Sequence, residues 1–67
     1  MSRQSVELKS VQQLAESVFE DKVAARKWMQ SPNVALGGNT PIEHCESELG
    51  VQEVRRILAS IEYGGVV

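Results

Sequence analysis

Apolar residues in the first third of the chain fall at Val11, Leu14, Ala15, Val18 and Phe19, the i, i+3, i+4, i+7, i+8 spacing of one helical face. This predicts a first helix, started by Ser10 with Gln13 as a capping box or by the earlier Ser5, and leaves residues 1–9 as a frayed segment. Asp21 is a good N-cap for a second helix through "KVAARKWMQ", in which Ala24 lies one turn below Trp28 and leaves room for its ring. That helix cannot pass Ser31, because Pro32 disfavours the α conformation in the residue before it. In "TPIE", Thr40 caps, Pro41 takes the first helical position and Glu43 closes a capping box, so a third helix starts at Pro41, with Gly50 placed to end it. Val51, Val54, Leu58 and Ile61 make the stripe of a fourth helix that Ile57 widens. It ends at Tyr63, where Gly64 and Gly65 can take the left-handed conformation.

No strand alternation interrupts these patterns. The expected fold is all-α, a small compact bundle of about four helices over residues 10–65, followed by an apolar tail at 66–67.

The stretch between helices two and three, "SPNVALGGN", is either a cradle for a ligand or a rigid joint. A Walker loop needs a Lys at fixed spacing and a dinucleotide fingerprint needs G-x-G-x-x-G after a strand; neither is present. The joint is the better reading. Pro32 stops one helix, Gly37 and Gly38 permit a tight reversal, and Thr40 and Pro41 start the next. Trp28, just before the joint, is expected to be largely buried in its support.

Composition narrows the function classes. A chain of 67 residues makes one small domain, and such a domain buries only about 60% of the surface its unfolded chain exposes. Association would add core, and the width of the fourth helix's stripe suggests a two-fold homodimer. The single Cys45 forms no intrachain disulfide, and with His44 it falls short of a structural zinc site, so neither metal nor cofactor is expected. The longest apolar run is three residues, against the roughly 20 of a membrane span. With no signal-like h-region, the chain reads as cytoplasmic, with no membrane partner. Net charge is −2 and pI about 5.2, which gives no support to general nucleic-acid binding. The acidity is uneven: residues 1–31 balance to +1 and residues 32–67 to −3.

Candidate chemistry is thin. His44 and Cys45 are neighbours, so on a helix their side chains diverge by about 100° and form no nucleophile–base pair. His44 is one turn from Glu48 and can pair with it, and Cys45 reads as a small buried apolar residue. No catalytic constellation emerges, so the chain is read as a binding protein and not an enzyme. "CESELGVQEVRRILASI", with Arg55 and Arg56 after the Gly50 turn, has an outline of a DNA-binding helix-turn-helix, although the surrounding glutamates would repel phosphate. A DNA-binding repressor and a bare dimerisation module therefore stand as alternatives. In the tail "EYGGVV", the valines either fold back on the domain's own core or enter a groove in a partner.

Taken in order, "VF", "A..W", "SPN.ALGG.TPIE" and "LG...V...L..IEYG" resemble the C-terminal toxin-binding domain of Xre/MbcA/ParS-type bacterial antitoxins, over roughly Leu14 to Gly65. The resemblance implies that the chain neutralises a RES-domain toxin, one that degrades NAD+ or transfers its ADP-ribose, by binding it. It implies that Tyr63, Gly64, Gly65, Val66 and Val67 cover or enter the toxin's NAD+ pocket. Two departures stand out. The glycine usual after "VF" is Glu20 here, and the N-terminal helix-turn-helix domain through which such antitoxins contact DNA has no room in these 67 residues.

Overall fold

The computed structural model of the chain describes residues 3–64. Four α-helices follow one another, α1 (Arg3–Phe19), α2 (Lys22–Gln30), α3 (Pro41–His44) and α4 (Glu48–Glu62), with a 3-10 turn at Val34–Leu36 between α2 and α3. No strand occurs among the described residues. The all-α expectation holds; the starts and stops are where sequence and structure part.

α1 begins at Arg3, so most of the segment expected to fray is helical. Ser10 is not its cap. It sits inside the helix, and its hydroxyl oxygen accepts a hydrogen bond from Arg55 Nη2 at 2.8 Å. The next junction is tight. Glu20 takes a left-handed backbone conformation (φ 55°), and Asp21 then caps α2 as expected, its Oδ1 accepting from the amides of Val23 (2.8 Å) and Ala24 (3.3 Å). Ser31, before Pro32, is extended and closes α2 where the proline requires.

The capping box of α3 forms as read: Glu43 N donates to Thr40 Oγ1 at 3.1 Å and Thr40 N donates to Glu43 Oε1 at 3.0 Å. α3 is nevertheless a single turn, and Gly50 does not end it. Ser47 starts α4 instead, accepting from Gly50 N at 2.9 Å, so Gly50 lies in the first turn of α4. Its reason is proximity, since a Cβ built on Gly50 would stand 1.7 Å from the carbonyl oxygen of His44. Only glycine lets the start of α4 lie against the end of α3.

α1 is the central strut. It packs extensively against both α2 and α4, while α3 touches α2 on one side and α4 on the other. Val11 and Ala15 of α1 share the core with Val54 and Leu58 of α4, all fully buried, and Met29, Ala25, Leu36, Cys45 and Val51 complete it. Burying each of the larger aliphatic side chains stabilises the fold by roughly 1.5–3 kcal/mol. Trp28 is only partly buried, contrary to expectation. Ala25 and Met29 take the deep positions of α2, and the indole packs at the margin, 5.9 Å from the Phe19 ring at an interplanar angle of 47°. Most of the stripe of α4 is covered from within: Val51, Val54 and Leu58 are buried and Ile57 packs against the core, while Ile61 at its end is half-buried. No helix among the described residues is long and apolar enough to cross a membrane.

Candidate functional site

Two surfaces correspond to the stretches singled out in the sequence, the joint before α3 and the end of α4. Asn33 organises the joint. Its amide donates to the Asn39 carbonyl (3.0 Å), its own carbonyl accepts from Leu36 N (3.0 Å) and Gly38 N (2.9 Å), and its Oδ1 accepts from Ala35 N (2.9 Å). Gly37 (φ 68°) and Gly38 (φ 90°) supply the left-handed steps that let the chain close on itself. Leu36 and Pro41 are buried beneath the loop, whereas Pro32, Gly37 and Gly38 lie exposed and Val34 stands 94% open to solvent. Thr40 is held in the capping box. The joint is thus a closed turn, with the amides of Asn33, Ala35, Leu36, Gly37, Gly38 and Asn39 bonded within the loop itself.

At the other surface, Tyr63 N donates to the Ala59 carbonyl (3.0 Å) and Gly64 takes a positive φ of 126°, so the chain leaves α4 there. The Tyr63 side chain is 86% exposed. Of the other residues expected to contact a partner, Gly65, Val66 and Val67 lie outside the described residues.

The remaining candidates are placed as follows. His44 Nε2 pairs with Glu53 Oε1 of α4, a partner nine residues along the chain that helical spacing did not suggest. Cys45 is buried. Desolvation pushes its thiol above the ordinary value, the Glu7 carboxylate adds to that and Arg55 opposes it, which favours the neutral thiol of a small core residue. The helix-turn-helix outline loses its parts as well. Its first helix would be the four-residue α3, and one of its two arginines, Arg55, is turned back onto Ser10 of α1.

The cleft between α1 and α2 holds about 100 Å³, below the roughly 300–1,000 Å³ usual for small-molecule sites. A second concavity, at the α3–α4 corner beside Leu49, holds about 460 Å³ but is a broad depression open to solvent. Among the described residues no group of three His, Cys, Asp or Glu side chains could hold a metal ion. What the molecule presents is surface. Sequence reasoning missed four of its structural residues: Asn33, Ser47, Gly50 and the left-handed Glu20. Ser47 and Asn33 were findable as cap-type residues just ahead of a turn; the role of Gly50 depends on the His44 carbonyl, and no local signal announces it.

The family model of the antitoxin Xre/MbcA/ParS C-terminal toxin-binding domain matches residues 14–64, from the middle of α1 through the joint to the end of α4. No curated protein and no solved structure matches the chain.

Proposed function

The chain belongs to the antitoxin Xre/MbcA/ParS C-terminal toxin-binding domain family, and from that premise we propose that it inhibits a RES-domain, NAD+-consuming toxin by covering its active site. The observation that carries this reading is the end of α4: an exposed Tyr63 followed by a positive-φ glycine, within the stretch that the family model matches. Tyr63 and Gly64 form the base of the contact, and Gly65, Val66 and Val67 extend it into the toxin's NAD+ pocket. Each valine buried there contributes roughly 1–2 kcal/mol. Inhibition is by occupancy. Among the described residues, the lone Cys45 is buried and His44 is engaged by Glu53. Trp28, Pro32, Gly37, Gly38, Thr40 and Pro41 act on binding only through the shape of the domain. The toxin is the partner this reading favours first, since most of the α4 stripe packs into the domain's own core; a two-fold homodimer stands beside it. The setting would be the cytoplasm.

The test is NAD+ consumption by the cognate RES-domain toxin, titrated with the full chain and with a variant ending at Tyr63. The truncated form is expected to keep its helicity and melting temperature but to inhibit at least tenfold less well, a loss of about 1.4 kcal/mol. Equal inhibition by both forms would move the inhibitory surface onto the helices.

A further inference from the structure

One line along α4 is not used by the domain's own packing. Leu49, in the first turn of α4, is 66% exposed, and Tyr63, its C-cap, 86%. They are fourteen residues apart with Arg56 midway. Seven residues return to within about 20° of the same direction, so Leu49, Arg56 and Tyr63 lie along one side of α4, spanning about 21 Å. The core residues Val54 and Leu58 are on the far side. The two arginines divide accordingly: Arg55 reaches back to Ser10, and Arg56 stands exposed on the outer face. The line also runs into Gly64, where the segment assigned above to the toxin pocket leaves the helix.

We propose that the toxin is held along this ridge, in a groove that takes Leu49 and Tyr63 as its two apolar anchors and sets acidic side chains opposite Arg56. This rests on the toxin-binding reading and adds to it a second contact, up to about 21 Å from the tail. It is the helix-in-groove mode of recognition, with anchors every seventh residue in place of every third or fourth. Charge selects the occupant. Two copies of this chain pairing ridge to ridge, parallel or antiparallel and in register, would bring Arg56 against its own counterpart, and like charges at the centre of an apolar contact oppose it. A different protein with a carboxylate at that point gains where a second copy loses. The ridge also lies in the acidic half of the chain, where Arg55 and Arg56 are the only basic residues, so the centre of the groove differs in charge from its flanks.

The experiment is a calorimetric titration of the cognate RES-domain toxin with the full-length protein and the variants Leu49→Ser, Arg56→Glu and Val34→Ser, alongside the truncation at Tyr63. Leu49→Ser and Arg56→Glu should each weaken binding tenfold or more with unchanged circular dichroism, because both side chains are exposed. Val34→Ser, which removes an equally exposed apolar residue away from the ridge, should bind as wild type does. Full affinity in the Leu49 and Arg56 variants, with inhibition lost only on truncation, overturns the ridge and leaves the functional reading standing. Equal weakening by Val34→Ser also overturns it. A wild-type chain that does not bind the toxin at all defeats both. Sedimentation showing a dimer that Leu49→Ser dissociates would assign the ridge to a second copy and likewise overturn the proposal.

Discussion

The joint at Asn33–Asn39 and the corner at His44–Gly50 each redirect the chain between two helices, and each needs glycine, for opposite reasons. At the joint, Gly37 and Gly38 have positive φ and nothing within 4 Å of where a Cβ would sit. The requirement is conformational and the space is free. At the corner, Gly50 sits in ordinary helical backbone, but a Cβ there would collide with the His44 carbonyl at 1.7 Å. The conformation is free and the space is not. A loop glycine can be read from its neighbours in sequence, whereas a contact glycine can be read only from what lies across from it.

The comparison breaks most sharply at the corner. Gly50→Ala forces α4 away from α3, against backbone that cannot rotate aside, and should cost about 3 kcal/mol or more, the upper end of overpacking penalties. Total stability for a domain of this length is of order 3–10 kcal/mol. The variant should therefore be largely unfolded at 37 °C by circular dichroism, and a melting temperature within a few degrees of wild type would show that the corner yields. At the joint, Gly37→Ala pays only for the left-handed backbone and gains some rigidity in the unfolded chain, a net cost of about 1 kcal/mol. A domain this small should lose about 4–8 °C in melting temperature. If Gly37→Ala proves as damaging as Gly50→Ala, space and conformation are not separable here. The smallest effect should have the reverse sign. Glu20 carries the same positive φ without being glycine, so Glu20→Gly should raise stability by about 0.5 kcal/mol, seen as a rise of a few degrees in the same melt.

These residues also show which parts of the molecule the sequence could disclose. The Thr40–Glu43 box was legible because its donors and acceptors lie within four consecutive residues. The core faces of α1 and α4 were legible because periodicity is a local property: Val11, Ala15, Val54 and Leu58 are buried as their spacing required. Ser10 misled for the converse reason, since the partner that fixes its hydroxyl, Arg55, lies 45 residues away. The end of α3 was misread because Gly50 looks like a helix stop to any argument that cannot see His44. Trp28 was placed too deep because a large ring at a helix end can as well lie on Phe19 at the surface. Of the partner-binding residues expected from the tail, Tyr63 and Gly64 fall on the described surface. Leu49 carries no local signal, and Arg56 reads from sequence only as a DNA contact, because exposure on the outer side of a helix leaves no trace in the apolar pattern.

The central position of α1 bears on the order in which the domain is made. α2 follows α1 after only Glu20 and Asp21, so these two helices can meet early through local contacts, the kind that form fastest. The side of α1 that carries Val11 and Ala15 has no such neighbour in sequence. It waits for Val54 and Leu58, which are synthesised some forty residues later. Until α4 has left the ribosome the nascent chain is a helical hairpin with an open apolar flank, and at the usual elongation rate of about 5–20 residues per second that state lasts a few seconds. α4, which emerges after the other three helices, both closes the core and carries the surface proposed for the toxin, so a chain made only up to α3 can neither fold fully nor present that surface.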